Sequence, residues 1–177
     1  MRLFIGIPLP KAITAELATW VSRQETPLKL KWTDPYNYHI TLLFLGEVDE
    51  SLIPDINKAL ERVVQQFTTS TLTFEKLQFK PQNSPRMIWA KYKANSSLIQ
   101  LQQAIAQALI NHAYYENRLW IPHVTLARFY KKPLAIQQHL DFKSADFTVH
   151  QFVLYQSEMS GGKTHYIPLN QFKLKVK

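Results

Sequence analysis

His39-Ile40-Thr41-Leu42 and His123-Val124-Thr125-Leu126 are one four-residue phrase written twice, and the fold follows from reading the two copies together. Each lies in a β-branched, apolar segment that reads as a strand from its composition. Residues two apart in a strand share a face. His39 and Thr41 therefore point one way while Ile40 and Leu42 point the other, and the second copy repeats that division. The apolar pair enters a core; the polar pair faces a cleft. A lone His-x-Thr is ordinarily the wet face of a half-exposed strand. Two copies, both mid-strand and in comparable positions of two halves, describe a duplicated unit whose copies oppose each other across one groove.

Working outward from the first copy, Tyr38 to Leu45 is a strand closed by Gly46. Arg2 to Ile7 precedes it as a buried strand, followed by a helix that starts at Pro10 and carries Ile13, Leu17, Trp20 and Val21. Leu28 to Trp32 reads as a short strand. After the motif, Ser51 is the expected N-cap of a helix bearing Leu52, Ile56, Leu60, Val63 and Val64. Strands are expected over Thr71–Phe79 and Arg86–Tyr92, then a helix from Ser96 or Ser97 through Leu101, Ile105, Ala108 and Leu109. The second copy lies in a strand over Leu119–Phe129. A short helix near Leu134–Leu140 follows, then strands over Phe147–Tyr155 and Thr164–Leu174, the hairpin turn being Ser160-Gly161-Gly162-Lys163.

Strands and helices mix without regular βα alternation, and no Gly/Ser linker divides the chain. The expectation is α+β with largely antiparallel sheets in a single bilobal domain over 1–177. With 177 residues, 46% of them hydrophobic, the chain has enough apolar surface for one core. Lys and Arg exceed Asp and Glu by 21 to 13, and the net charge of +8 favours polyanionic partners, because these cations displace counterions from phosphates. There is no cysteine, which excludes disulfides, thiolate nucleophiles and Cys-based zinc sites. The apolar start is interrupted by Pro8 and Pro10, too soon for a signal-peptide core. No apolar run approaches the roughly 20 residues of a membrane helix. A soluble, cytoplasmic protein is expected, with no membrane and no obligatory protein partner.

Two imidazoles opposed across a groove suit the hydrolysis of a cyclic phosphodiester. Water must lose a proton on one side of phosphorus while the leaving oxygen gains one on the other, nearly in line. Histidine titrates near neutrality, so one ring can be neutral and its partner charged. The hydroxyls of Thr41 and Thr125 can donate to the non-bridging oxygens, where charge accumulates in the transition state. Side chains supply both proton transfers, so the scheme requires neither a metal nor a cofactor. No His-x-His or His-x₃-His spacing offers a metal site.

These segments resemble the 2H phosphoesterases, in particular the RNA 2′,3′-cyclic phosphodiesterase branch historically called 2′-5′ RNA ligase. The resemblance runs through Arg2-Leu3-Phe4-Ile5-Gly6-Ile7, the stretch His39 to Val48, and Pro85-Arg86-Met87-Ile88-Trp89. It continues in Pro122-His123-Val124-Thr125-Leu126-Ala127-Arg128 and the closing Tyr155–Leu174 hairpin. It implies two antiparallel sheets facing each other across a central groove, with helices on the outside. It also implies metal-independent hydrolysis of an RNA terminal 2′,3′-cyclic phosphate to a 2′-phosphomonoester, and a weaker reversible 2′-5′ joining of RNA. Carried over, His39 is the acid on the leaving 3′ oxygen and His123 the base on water. The near-identical motifs do not assign that polarity by themselves.

The resemblance makes Arg128 a phosphate-binding residue, a role its guanidinium fork suits. Strict alternation from His123 places it on the wrong face, so it reaches the groove only through a twist, end or bulge near Ala127. His112 reads as support for a helix C-terminus, His139 and His150 as surface, and His165 as structural. Phe44, Trp32, Trp120 and Tyr166 are aromatic enough to stack on a base but are expected as core or wall. Two other functions fit the sequence: a phosphodiesterase for a small cyclic phosphate or cyclic nucleotide, and a non-catalytic RNA- or nucleotide-binding module. The intact pair of His and pair of Thr weighs against the binder, which has no need of opposed proton carriers.

Overall fold

A computed structural model describes residues 1–24, 29–111, 119–130 and 140–176. Its strands fall into two sheets, antiparallel at every pairing between them. Sheet A has four strands: β3 (His39–Glu47), β1 (Arg2–Pro8), β8 (Gln151–Ser160) and β9 (Lys163–Lys173), in that order. Sheet B has five: β2 (Leu30–Trp32), β6 (His123–Phe129), β5 (Met87–Ala94), β4 (Ser70–Lys80) and β7 (Phe147–Val149). The architecture is α+β, as the mixed pattern predicts.

The helices are α1 (Lys11–Ser22), α2 (Ile53–Val64) and α3 (Ser96–Ala108). Each buries the stripe its periodicity marks: Ile13 and Leu17 on α1, Ile56, Leu60, Val63 and Val64 on α2, Leu98, Leu101 and Ile105 on α3. Helix α3 packs on β3 and β5, one strand from each sheet, while α2 packs on α3 and β9. Buried residues of both sheets consequently form one continuous apolar cluster. Fully burying each such aliphatic chain contributes about 1.5–3 kcal/mol, which is why the stripes, more than intrinsic propensity, hold the helices in place.

The helix starts differ from expectation in their chemistry. Ser51 is not the cap of α2. Asp49 accepts from the Ser51 amide at 2.9 Å and from its hydroxyl at 2.7 Å, opening a 3₁₀ turn over Glu50–Leu52 that runs into α2 at Ile53. The cap of α3 is Asn95, whose side chain accepts from the Leu98 amide at 3.1 Å.

Three strand boundaries also move. The expected strand Phe147–Tyr155 is two strands: β7 ends at Val149 in sheet B, and β8 begins at Gln151 in sheet A, so the chain changes sheets at His150. Gly46 lies inside β3 rather than after it, with φ of +74°, at a bulge opposite Leu3 and Phe4; only glycine takes that backbone without strain. The strand expected from Leu119 begins at His123. Both motifs thus open their strands instead of sitting in the middle of them. The expected helix over 134–140 falls almost wholly outside the described residues, as do His112, His139 and Leu28. The final hairpin turns at Gly161 and Gly162, both at positive φ, as the sequence predicts.

Candidate active site

Strand β3 is the edge of sheet A, and β6 stands one strand in from the edge of sheet B; the two pack against each other and bring the motifs to one seam. Trp120, just before β6, braces that seam by donating its indole N–H to the Thr41 carbonyl at 2.8 Å. Positive charge on His123 is felt at His39.

The two histidines are anchored by the same local device. His39 Nδ1 lies 2.7 Å from the Asn37 carbonyl, and His123 Nδ1 lies 2.8 Å from the Ile121 carbonyl, each two residues upstream. A carbonyl only accepts, so Nδ1 carries the hydrogen in both rings and Nε2 is the basic nitrogen. Thr41 Oγ1 stands 3.1 Å from His39 Nε2 and donates to it while the ring is neutral.

Their surroundings differ. His39 fits over Gly6, where an added Cβ would stand 3.2 Å from the ring's Cδ2, and meets Phe4 and Tyr166 at centroid distances of 4.8 and 4.9 Å. His123 stacks on Trp89 at 3.6 Å and 17°. Burial lowers the pKa of both. It takes His39 down to about 4, against the opposing pull of its bond to Asn37. His123 is lowered by burial first, then by the charges of Arg128 and Lys80, with the Ile121 bond acting the other way.

A bulge follows each motif at its leucine. Across β3 and β1, Thr41 pairs with Gly6 but Leu43 with Ile5, leaving Leu42 as the extra residue. Across β6 and β5, Thr125 pairs with Trp89 but Ala127 with Ile88, leaving Leu126 extra. Each bulge turns two successive side chains inward: Leu42 and Leu43 are both buried, as are Leu126 and Ala127. Each also resets the alternation, so that the residue five after the histidine returns to the histidine's face. That residue is Phe44 in one copy and Arg128 in the other. The carbonyls of both extra residues are satisfied, Leu42 by Gln102 Nε2 at 3.2 Å and Leu126 by the Thr33 amide, next in line after β2, at 2.8 Å.

Arg128 is exposed, with Nη1 on Met87 Sδ at 3.2 Å, and its charge reaches both His123 and Tyr166. Of the candidate aromatics, Phe44 and Tyr166 are on the groove face. Trp32 is on the opposite side, paired with Ala127 and packed against Trp20. Trp120 serves as the brace between the sheets. His165 pairs with Glu158 and alternates away from Tyr166, and His150 is exposed at the strand switch. Phe4, Tyr155 and Trp89, not singled out as site residues from sequence, complete the walls: Phe4 stacks on Phe44 and Tyr155 at 5.7 and 5.0 Å. Their signal was parity with the motifs across a neighbouring strand, which requires the register. Among the described residues there is no cluster of three or more His, Cys, Asp or Glu placed to hold a metal, and no helix long and apolar enough to cross a membrane.

Comparison with known proteins agrees with this geometry. The 2′-5′ RNA ligase superfamily model matches residues 10–160. The RNA 2′,3′-cyclic phosphodiesterase of Bacillus subtilis (strain 168) is 29% identical over 161 residues, spanning 89% of this chain and 88% of that protein. The protein of the same name from Escherichia coli (strain K12) is 29% identical over 175 residues, 98% of this chain and 96% of that one. The crystal structure of E. coli LigT complexed with 3′-AMP superposes with a TM-score of 0.84 at 28% identity, covering 98% and 97% of the two chains. The family match takes in both histidine motifs, both bulges and Arg128; the chain belongs to the 2′-5′ RNA ligase superfamily.

Proposed function

We propose that this chain hydrolyses the 2′,3′-cyclic phosphate at an RNA end to a 2′-phosphomonoester, with His39 as acid, His123 as base and Thr41, Thr125 and Arg128 holding the phosphate. The observation that carries the reading is the matched pair of anchored imidazoles, each presenting Nε2 and each with a threonine two residues on, brought together at one seam. The relatives named as RNA 2′,3′-cyclic phosphodiesterases support the substrate class.

The electrostatics favour this polarity. Arg128 and Lys80 are permanent neighbours that disfavour a proton on His123, which suits a base that begins neutral. His39 is held down chiefly by burial, and a phosphate anion settling beside it offsets that burial and restores its proton. His123 Nε2 takes a proton from water as its oxygen attacks phosphorus. The bond to the ribose 3′ oxygen breaks, and His39 delivers its proton to that oxygen. The threonine hydroxyls and the Arg128 guanidinium face the charge gathering on the non-bridging oxygens. Both proton transfers are made by side chains, so the cycle is complete without a metal or cofactor. The same steps with a 5′ hydroxyl in the place of water form a P–O5′ bond as the P–O3′ bond breaks, which is 2′-5′ joining of RNA, and their reverse undoes that joint.

The chain works on this reading as one bilobal unit over residues 1–177, acting on RNA in the cytoplasm. The test is incubation of the pure protein, with EDTA present, with an oligoribonucleotide ending in a 2′,3′-cyclic phosphate. Opening of the ring in chelator is the expected result. Loss of turnover on chelation, restored by a divalent ion, overturns the two-histidine scheme. Binding without turnover would favour an RNA- or nucleotide-binding module.

A further inference from the structure

The groove face of sheet B does not stop at His123. Residues paired directly across an antiparallel ladder carry their side chains on the same side. His123 pairs with Lys91, and Lys91 with Lys76, so these three stand in a row across β6, β5 and β4. The neighbouring rows are Thr125, Trp89, Gln78 and then Arg128, Met87, Lys80. Lys76, Gln78, Lys80 and Lys91 line an open pocket of about 440 Å³. Ile121, whose carbonyl anchors the His123 ring, is part of the same wall, so the pocket lies next to the start of the strand that carries His123.

Only part of the charge in this lane is spent within the protein. Glu75 pairs with Lys91 at 2.9 Å. Lys80 stands over the Trp89 ring at 5.5 Å, and Lys76 is exposed. Neighbouring strands are about 4.8 Å apart, which puts Lys76 about 10 Å from His123 across two gaps. That is beyond the reacting phosphate and within reach of the adjoining nucleotide. Sheet A presents rings on its groove face, Phe44, Tyr155 and Tyr166 among them. The groove therefore has one wall of rings and one on which cations flank the Trp89–His123 stack, a combination suited to the bases and the backbone of single-stranded nucleic acid.

Resting on the proposed RNA-end activity, we infer that the β4–β5 lane is a second binding subsite. It takes the backbone phosphate of the nucleotide 5′ to the reacting one, and so selects oligonucleotide ends over cyclic mononucleotides.

The test compares kcat/KM for 2′,3′-cyclic AMP and for a short oligoribonucleotide ending in a 2′,3′-cyclic phosphate, in wild type, in Lys76→Gln and in the double variant Lys76→Gln/Lys91→Gln. The double variant should lose about tenfold on the oligonucleotide and less than about twofold on the mononucleotide. Its oligonucleotide salt slope should flatten by about 0.7 for each phosphate no longer neutralised. Lys76→Gln, at an exposed position, should show about a threefold loss with the same selectivity, which keeps the test decisive if the double variant folds poorly. Equal losses on both substrates, or none on the oligonucleotide, overturn the subsite while leaving the hydrolytic reading intact. Turnover of neither substrate by wild type removes that reading, and the subsite with it.

Discussion

His39 and His123 share an anchor and differ in everything around it, and the pH behaviour should report that difference. Replacing either by Ala should lower turnover by about 10²–10⁴-fold, the range for losing a general acid or base, with the circular dichroism spectrum unchanged. Near-normal turnover in either variant would refute the scheme. In the free protein His39, the proposed acid, has its pKa held down to about 4 by burial and is scarcely protonated at neutrality. The kcat/KM profile, which reports free protein, should therefore be a bell centred below pH 6.5, while bound phosphate raises both rings and moves the kcat bell to higher pH. Coincident profiles centred above neutrality would contradict this. Folding should respond too. Unfolded chains protonate His39 at the ordinary 6.5 and the folded protein only near 4, so the unfolded state binds more protons between those values. Stability should fall as pH drops through that window, by up to roughly 3 kcal/mol, and level off below it. Urea titrations of wild type and His39→Gln at both ends of the window should show the extra loss in wild type alone.

At the scale of the element, the two bulges decide which side chains reach the groove. The motif's alternation was readable from sequence because His39, Ile40, Thr41 and Leu42 obey it. Nothing in Leu42-Leu43 or Leu126-Ala127 announced an inserted residue, since a pair of adjacent apolar residues fits a strand buried on both faces as well as a bulge. Arg128 was legible only as a conflict between parity and a known motif, and the register shift between Ile88 and Trp89 is its physical resolution. Arg128→Ala should cost about 10²-fold in kcat/KM, and Arg128→Lys should recover only part, because lysine keeps the charge and loses the planar fork. Full rescue by lysine would mean that the fork does not touch phosphate. Gly6 sets the matching constraint on sheet A. In Gly6→Ala the methyl would meet His39 Cδ2 at 3.2 Å and Phe4 Cε2 at 3.3 Å, so the ring must shift. A loss of about 10- to 100-fold in kcat, with a melting temperature within a few degrees of wild type, is expected from misplacing a catalytic group. Wild-type kcat in Gly6→Ala would show that the ring has slack.

The whole molecule is less symmetrical than its repeated motif. The absence of regular βα alternation foretold largely antiparallel sheets, but not that the carboxy-terminal hairpin completes the sheet begun by the amino-terminal strand, because long-range pairing leaves no local mark. Nor did the sequence foretell the division of sheets at His150, where a single strand-like stretch, Phe147 to Tyr155, serves both. The result is a groove whose walls differ: a cluster of rings on sheet A, and Arg128 and lysines around Trp89 on sheet B. That asymmetry bears on the regiochemistry of the reaction. In-line attack expels whichever ribose oxygen lies opposite the water, and only the acid's side of the groove can protonate it. With the base of the nucleotide drawn to one wall and its backbone to the other, a single orientation of the cyclic phosphate is productive. If His39, as the acid, stands beside the 3′ oxygen, the phosphate stays on the 2′ oxygen. Digestion of a cyclic-phosphate oligonucleotide should therefore give a product that co-migrates with the 2′-phosphate standard and resists a 3′-specific phosphatase. A 3′-phosphate product would mean that the 2′ oxygen leaves: either the ribose lies in the reverse sense with that oxygen beside His39, or His39 and His123 exchange roles.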